Sequence, residues 1–214
     1  MNAAMPDSPP QHIALFGGSF DPPHTGHTGI AGEAVQQAGL DQVIFIPCRQ
    51  SPLKQRQPGA SAPNRMEMLR LATGDLPWAT VSDFEISRPG PSYSWETVQH
   101  FASLYPAARL YWLLGADQWQ QIDRWANPDY LREKLTFLVF CRDGQTPQSR
   151  PGWQYQSLGK PSPPATEPDS LQTSGCFPGS STEVRERLAN GDPAEGLLHP
   201  EVASYALRLG LYRP

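Results

Sequence analysis

The sequence predicts an α/β fold: a doubly wound, mostly parallel sheet with helices on both faces. Apolar runs with the length of buried strands recur along the chain, and segments with helical patterning separate them. The runs at 13–16 and 42–47 flank a segment long enough for one helix, which is the spacing that a parallel β-α-β unit requires. A length of 214 residues is sufficient for one such domain, which we place at residues 13–214.

Turn and capping residues set the predicted boundaries of the elements. Gly39 is placed to stop the first helix, and Ser92 or Ser94 is a candidate N-cap for a later one. Ser180 and Glu183 have the spacing of a capping box. The predicted strands are residues 13–16, 42–47, 80–86, 109–114 and 136–141. The predicted helices are residues 25–38, 64–73, 95–104, 180–190 and 200–209.

Two segments are predicted to contribute little to the core. Residues 1–12 contain prolines and lack the basic and apolar regions of a secretory signal, so we expect a disordered lead-in. Residues 143–179 are rich in proline, serine, glutamine and threonine and poor in aliphatic side chains. We therefore expect a surface insertion there, with one short strand near 153–158.

Charge and cysteine usage exclude several classes of partner. The net charge is −4 and no basic stripe is present, so we expect no nucleic-acid partner and only a small bound nucleotide. Cys48, Cys141 and Cys176 are far apart and form no C-x-x-C pair, which favours reduced thiols and no structural disulfide. No apolar run reaches membrane-spanning length. We therefore expect a cytoplasmic protein without a membrane partner.

A glycine turn with two histidines follows the first predicted strand. Its sequence is Gly17-Gly18-Ser19-Phe20-Asp21-Pro22-Pro23-His24-Thr25-Gly26-His27. Adjacent glycines let backbone N–H groups approach an anion, and a helix that begins near His24 adds unpaired N–H groups and its positive dipole end. His24 and His27 would share one face of the first helical turn. This layout predicts an anion site.

Two other interpretations of the same turn remain open from its residues alone. A strand, a Gly-Gly turn and a helix also form common α/β scaffolding without any ligand. The two histidines near Asp21 could instead bind zinc. However, the spacing is not H-E-x-x-H and no third cluster of ligands is evident, so a metal site is the least favoured of the three.

A cationic loop follows the second predicted strand. Arg49, Lys54 and Arg56 lie within eight residues of one another. Because loops at the carboxyl edge of a parallel sheet bind ligands, these side chains could meet a phosphate. The alternative is an ordinary solvated loop, and the sequence does not separate the two.

Small residues and a carboxylate follow the strand at 109–114. Gly115-Ala116-Asp117 fits a ribose site, since a carboxylate accepts hydrogen bonds from sugar hydroxyls, but Asp117 could equally cap a helix. Trp119 and Trp125 come next in the chain. They either stack on a flat ring of the ligand or belong to the core.

Hydroxyl side chains begin the predicted helix at 180–190. A Ser-x-x-Glu start is ordinary for any helix. Here Ser180, Ser181 and Thr182 are followed one turn later by Arg185, and together they would offer hydroxyl and guanidinium donors to phosphate oxygens. This segment is therefore a second candidate anion site, at the far end of the chain from the first.

In their order along the chain, these motifs resemble those of nicotinate-nucleotide adenylyltransferases. The H-x-G-H and S-S-T-x-x-R motifs are typical of the wider nucleotidyltransferase superfamily, and the elements between them point to this member. The likeness extends over nearly the whole chain except residues 1–12 and the proline-rich segment. The matching stretches are Gly17 to His27, Asn64-Arg65-Met66, Ser92-Tyr93-Ser94, Gly115-Ala116-Asp117, Trp125 and Ser180 to Arg185.

The resemblance implies a Rossmann-like fold and a specific reaction. The AMP moiety of ATP would pass to nicotinate mononucleotide, with release of pyrophosphate, in NAD biosynthesis. No covalent enzyme intermediate is expected, so the site should consist of donors that position the substrates and stabilise charge. Mg²⁺ should be required and be coordinated mostly by phosphate rather than by a protein cage.

The resemblance also implies a role for each matching residue. His24 and His27 would stabilise ATP phosphate oxygens, and Arg185 would hold the outgoing pyrophosphate. The residues implied to bind ATP are Gly17, Gly18, Ser19, Phe20, Gly115, Asp117, Ser180, Ser181 and Thr182. The residues implied to bind the acceptor are Lys54, Ser94 and Trp125.

Departures from the family pattern concern the acceptor. Leu53 stands where the family usually has a histidine, and Cys48 stands where asparagine is frequent. Nicotinamide mononucleotide and phosphopantetheine are therefore alternative acceptors, although Trp125 and the chain length argue against phosphopantetheine. A non-catalytic nucleotide sensor is a further alternative, against which both histidines and Arg185 argue. The sequence leaves the oligomeric state open, and a homo-oligomer is compatible with it.

Overall fold

Six parallel strands form one sheet in the part of the chain that the computed structural model describes, which is residues 9–53, 57–141, 147–158 and 179–213. The strands are β1 (His12–Gly18), β2 (Gln42–Pro47), β3 (Ala79–Val81), β4 (Arg109–Gly115), β5 (Thr136–Phe140) and β6 (Tyr155–Leu158). Their order is β3-β2-β1-β4-β5-β6. In the centre, Leu15 of β1 lies opposite Ile44 of β2 and Trp112 of β4. The predicted doubly wound, parallel α/β fold is confirmed.

Helices connect the strands and cover both faces of the sheet. The first helix has the predicted bounds, and Gly39 caps its C-terminus in the left-handed conformation with φ of 60°. A 3-10 turn at Ile122–Arg124 lies between the fifth and sixth helices. The helices are α1 (Thr25–Ala38), α2 (Ala62–Thr73), α3 (Phe84–Ser87), α4 (Ser94–Leu104), α5 (Ala116–Trp119), α6 (Pro128–Lys134), α7 (Ser181–Ala189) and α8 (Pro200–Arg208).

Alternating side chains of the strands build one apolar cluster on each face of the sheet. Leu15 and Trp112 pack on the face that α4, α5 and α6 cover, and Phe16 and Phe45 pack on the face of α1 and α2. A third cluster joins α2 to α7 and α8, with Met68 fully buried in it. The last two helices are therefore fixed to the body of the domain through α2.

The predicted strand at 80–86 is wrong beyond Val81. The backbone N–H of Ser82 still donates to the carbonyl of Phe45, but the Ser82 hydroxyl then accepts from the backbone N–H of Phe84. This side-chain contact turns the chain into the short helix α3. The loose alternation of apolar and polar residues at 80–86 indicates that one side of the segment is buried. It does not distinguish a strand from a short helix.

Helix capping also differs from the predictions. Tyr93 is the N-cap of α4 and makes no side-chain capping bond, while the Ser92 hydroxyl accepts from the backbone N–H of Arg49. Neither Ser92 nor Ser94 is therefore the N-cap. At α7, Ser180 accepts from the backbone N–H of Glu183 as expected, whereas the Glu183 carboxylate pairs with Arg187 rather than completing a capping box.

The described part of the proline-rich segment belongs to the sheet and its core. Residues 155–158 form β6, which pairs with β5, and Trp153 is only 9% exposed. The carbonyl of Gln148 accepts from the indole N–H of the fully buried Trp119. Residues 142–146 and 159–178, including Cys176, lie outside the described residues.

The edges of the described chain bear on two further expectations. β1 begins at His12, at the end of the predicted lead-in, and the Asp41 carboxylate accepts from the backbone N–H groups of Gln11 and His12. Residues 1–8 lie outside the described part.

Cys141 is a buried free thiol. Within the described ranges, no helix is both long enough and apolar enough to span a membrane.

We predict that Trp153→Ala destabilises the domain by about 3 kcal/mol, since truncating a buried aromatic side chain leaves a cavity. The Trp153 ring packs edge-to-face on Trp119 and Phe137, with centroids at 6.1 and 5.3 Å. Urea denaturation followed by circular dichroism measures the change. Leu104→Ala is the control, because Leu104 is 55% exposed and its loss should change the free energy of unfolding by less than about 0.5 kcal/mol. Equal stability of both variants would contradict a core role for residues 147–158.

Candidate active site

The strand order reverses next to β1, which creates a crevice at the carboxyl ends of β1 and β4. The chain adds β2 and β3 on one side of β1 and β4, β5 and β6 on the other, and such reversal points are where open α/β sheets bind ligands. The glycine turn follows β1 and Gly115 ends β4. A Cβ at Gly17 would lie 2.7 Å from Cζ2 of Trp112, so the packing of the Trp112 indole against this turn needs glycine there.

Two histidines form the start of α1. His24 is the N-cap, and its Nδ1 accepts from the backbone N–H of Gly26 at 3.1 Å. Nδ1 of His27 accepts from the backbone N–H of His24, also at 3.1 Å, which completes a reciprocal capping box. The ring centroids are 3.8 Å apart. An Nδ1 atom that accepts carries no proton, so each neutral ring has its proton on Nε2 as a donor.

Phe20 supports the histidines from below. The residue adopts a left-handed φ of 47° and its ring is only 1% exposed. It packs edge-on against His27, with centroids 5.0 Å apart, and against Phe16. Gly18 lies close to it, because a Cβ there would be in tight contact with the Phe20 ring at 3.0 Å. Because the Phe20 side chain is buried in these contacts, only the backbone of Phe20 could contact ATP.

The beginning of α7 lies against the histidine turn. The Ser181 hydroxyl donates to the carbonyl of Pro22 at 3.1 Å, and Nη1 of Arg185 donates to the carbonyl of Asp21 at 2.7 Å. Nη2 of Arg185 also donates to the Thr182 hydroxyl at 3.0 Å. The structure therefore brings together the two candidate anion motifs, although residues 21 and 185 are separated by 164 positions.

Asp21 is an anchor for the turn. Its Oδ2 accepts from the backbone N–H of Gly59 at 2.6 Å, and its Oδ1 accepts from the backbone N–H of Ala60 and the Tyr212 hydroxyl, both at 2.9 Å. The carboxylate is 6% exposed, so these donors replace water. Within the described part of the chain, no three His, Cys, Asp or Glu side chains are grouped to hold a metal ion. Asp21 is thus committed to backbone and phenol donors.

Arg65 supports the same turn from α2. Its Nη1 donates to the carbonyl of Ser19 at 2.7 Å, and the residue is only 2% exposed. Its Nε has no hydrogen-bond partner among the described residues. A buried guanidinium next to the glycine turn adds positive charge where an anion is expected. From the sequence, Arg65 was identified only within a matching motif, because its pattern in α2 does not reveal burial.

The predicted acceptor residues lie on the α4 side of the crevice or outside the described chain. Ser94 is the first residue of α4, and Trp125 packs edge-on against Trp112 with centroids 5.6 Å apart. The indole N–H of Trp125 is buried without a hydrogen-bond partner among the described residues. Trp119 is fully buried, so its suggested stacking role is wrong. Lys54 lies outside the described residues.

Comparisons with known proteins decide the family. The family model described as cytidylyltransferase-like matches residues 15–187. A probable nicotinate-nucleotide adenylyltransferase of Methylacidiphilum infernorum is 38% identical over 202 residues, which cover 94% of this chain and 92% of the relative. The chain belongs to the nicotinate-nucleotide adenylyltransferase family. The nicotinate-nucleotide adenylyltransferase of Bacillus subtilis is 34% identical over 203 residues, which cover 94% of this chain and 97% of the relative.

Solved structures share the fold of this family member. The nicotinic acid mononucleotide adenylyltransferase of Plasmodium falciparum, complexed with NaAD, has a TM-score of 0.74 at 19% identity. The match covers 94% of this chain and 97% of the Plasmodium chain. The same Plasmodium enzyme complexed with APC has a TM-score of 0.72, also at 19% identity and with the same coverage. These likenesses establish the Rossmann-like architecture.

A buried carboxyl group next to the predicted acceptor residues was missed from the sequence. Glu85 of α3 is 7% exposed, and its Oε1 accepts from the Thr97 hydroxyl of α4 at 2.6 Å. Burial raises the pKa of Glu85, although hydrogen bonds from Thr97 and Ser92 act in the opposite direction. The contact ties α3 to α4 beside Ser94. The incorrect strand at 80–86 hid it, since a strand would not have placed Glu85 against α4.

We predict that Glu85→Gln becomes stabilising relative to the native protein as the pH rises. The folded protein binds the Glu85 proton more tightly than the unfolded chain, whose carboxyl has its ordinary pKa of 4.5. The stability that comes from the neutral carboxyl is complete below that pKa and is lost as the pH rises through the higher pKa of the folded state. Glutamine stays neutral and shows no such loss.

Urea denaturation at pH 5 and pH 8 measures the difference in unfolding free energy between Glu85→Gln and the native protein. Glu133→Gln is the control, because the Glu133 side chain is 70% exposed. Its difference from the native protein should change little with pH. A Glu85→Gln difference that is equally constant would show that Glu85 is ionised in the folded state without penalty.

Proposed function

We propose that this chain transfers the AMP moiety of ATP to nicotinate mononucleotide, forming nicotinate adenine dinucleotide and pyrophosphate. The observation that carries the proposal is the meeting of the His24 and His27 pair with Arg185 at one turn, in the crevice of the sheet. Membership of the nicotinate-nucleotide adenylyltransferase family supports the same activity.

The reaction needs positioned donors rather than a protein nucleophile. An oxygen of the acceptor phosphate attacks the α-phosphorus of ATP in line, and the bond from that phosphorus to the pyrophosphate oxygen breaks. Negative charge spreads over the transferring group and the leaving pyrophosphate. The Nε2–H groups of His24 and His27 would stabilise that charge, since both Nδ1 atoms are already occupied by backbone donors.

The start of α7 would hold the pyrophosphate end of ATP. Ser181 and Thr182 offer hydroxyls and the backbone N–H groups of the first helical turn, and the Arg185 guanidinium has donors beyond those given to Asp21 and Thr182. The Ser180 oxygen already accepts from Glu183, so Ser180 would contribute mainly by capping the helix.

The adenosine half would lie along the ends of β1 and β4. Backbone N–H groups at Gly17, Gly18, Ser19 and Phe20 would approach the nucleotide there, without Cβ obstruction at the glycines. Gly115 allows the chain to turn where a Cβ would meet Asp117 Oδ1 at 2.7 Å. The Asp117 carboxylate is exposed near the end of β4 and would accept from ribose hydroxyls.

Mg²⁺ would enter with the substrate, as MgATP. The described residues form no cluster of acidic or histidine ligands, and the Asp21 carboxylate is occupied by three donors. Phosphate oxygens of ATP are the ligands that Mg²⁺ prefers in such sites. The chain's own residues would then bind phosphate oxygens that the metal leaves available.

Ser94, Trp125 and Lys54 are proposed to bind the acceptor. Trp125 offers a ring at the α4 side of the crevice, and the N-terminus of α4 at Ser94 favours a carboxylate. Leu53 departs from the histidine of the family pattern described above. Nicotinamide mononucleotide is therefore a second candidate acceptor. A cytoplasmic location and a homo-oligomeric state stay predictions.

We predict pyrophosphate release from ATP and Mg²⁺ in the presence of nicotinate mononucleotide, and at most slow release with nicotinamide mononucleotide. A coupled assay for pyrophosphate measures both rates with the purified protein. Faster release with nicotinamide mononucleotide would overturn the acceptor assignment and leave the adenylyl transfer intact. No release with either acceptor would favour a nucleotide sensor.

We predict that His27→Ala lowers kcat by on the order of 10²–10³, because the variant lacks one donor to the charge that builds in the transition state. Steady-state kinetics of pyrophosphate release measure this, with circular dichroism to verify folding. His199→Ala is a matched control, since the His199 ring caps α8 through Nδ1 and its Nε2 lies 3.9 Å from Oδ2 of Asp75, a residue with no proposed role in the site. Unchanged kcat in His27→Ala would refute the catalytic assignment.

A further inference from the structure

Tyr212, beyond the end of α8, contacts the turn that carries the histidines. Its hydroxyl donates to Oδ1 of Asp21 at 2.9 Å, across 191 positions of sequence. The ring also packs on the loop that Asp21 holds, since the Cβ position of Gly59 lies 3.5 Å from two of its carbons. A phenol from the C-terminal part of the chain is therefore built into the support of the phosphate site.

The backbone of Tyr212 is held in an unusual conformation. Its φ is 69°, a value that residues other than glycine rarely adopt. Leu211 packs against the cluster of α2, α7 and α8, and its N–H donates to the carbonyl of Ala206. These contacts direct the phenol toward Asp21.

The Tyr212 hydroxyl is held as a donor. Burial raises the pKa of the phenol, and the negative charge of Asp21 acts in the same direction. Asp21 receives this hydroxyl on Oδ1 together with the Ala60 N–H, and Oδ2 receives the Gly59 N–H. Without the phenol, part of a nearly buried carboxylate would lose a donor that water cannot easily replace.

The same residue, Asp21, connects Tyr212 to Arg185. The main-chain carbonyl of Asp21 accepts from Nη1 of Arg185 at 2.7 Å, while the side chain accepts from Tyr212. The side chain and the main-chain carbonyl of Asp21 belong to one residue, so a shift of the side chain also shifts the carbonyl that Arg185 contacts. A change at the phenol therefore reaches the guanidinium.

We propose that Tyr212 is a positioning residue for the triphosphate: it fixes Asp21, and Asp21 fixes Arg185 and the turn before His24. The role of Arg185 in this statement rests on the proposed function. Tyr212 itself is not proposed to touch the substrate. It acts on the phosphate end of the site and leaves the adenosine end at β4 unaffected.

The test compares Tyr212→Phe with Tyr205→Phe. Tyr205 is a matched control, because its hydroxyl also donates to one side chain, Asn64 Oδ1 at 3.0 Å, but does not contact Asp21. Calorimetric titration with MgATP should give a Kd about fivefold higher for Tyr212→Phe than for the native protein, because Asp21 no longer holds the donors of Arg185 in position. The Kd for adenosine should be the same in all three proteins. Equal MgATP affinity in Tyr212→Phe and Tyr205→Phe overturns the inference, and so does an equal loss for adenosine.

Turnover provides a second readout. We expect kcat for pyrophosphate release to fall about tenfold in Tyr212→Phe, because small misplacements of donors are costly in the transition state. Combined with Arg185→Lys, the effect should be much less than additive, since the phenol acts through Arg185. Fully additive losses would contradict this route. An inactive native protein would refute the proposed function, whereas the MgATP titration would still decide the inference about Tyr212.

Discussion

The buried carboxylate of Asp21 is the interaction on which the candidate site depends. A nearly buried carboxylate must be satisfied by donors, and those available come from two backbone N–H groups at 59–60 and from Tyr212. Its carbonyl receives Arg185. One residue of the glycine turn thus draws together the loop before α2, the start of α7 and the segment after α8. These three parts of the chain therefore meet at the turn that follows β1.

The two histidines cap a helix in addition to the chemical role proposed for them. Their Nδ1 atoms cap the first turn of α1, and this occupation determines which nitrogen carries the proton. Phe20 and Phe16 hold the His27 ring from the apolar side. The donors that the proposed chemistry needs are therefore oriented by the same contacts that begin the helix, before any substrate binds. Preorganised donors of this kind require little reorganisation during reaction.

Two buried polar side chains near the crevice are not revealed by the apolar pattern of the sequence. Arg65 lies in α2 with its guanidinium beneath the carbonyl of Ser19, and Glu85 lies in α3 against Thr97. Both are almost fully buried although their types usually face solvent. The two groups support different sides of the crevice: Arg65 contacts the glycine turn, and Glu85 contacts α4 near its beginning. A buried titratable group next to each proposed subsite makes the site sensitive to substitutions that never contact a ligand.

The sequence by itself determined the fold class, the bounds of α1, the histidine turn and the family, because these depend on local periodicity, glycine and proline positions and motif order. It also placed the two candidate anion motifs at opposite ends of the chain without showing that they touch. Tertiary structure alone decided that the Asp21 carboxylate anchors the histidine turn, that Trp119 is core, and that the short strand expected within the proline-rich segment joins the sheet, at residues 155–158, as its sixth parallel strand. It also turned part of the expected strand at 80–86 into α3. Each of these outcomes depends on a residue that is distant in sequence. A local pattern indicates which side of a helix or strand is buried, but it does not identify the residues that pack against that side.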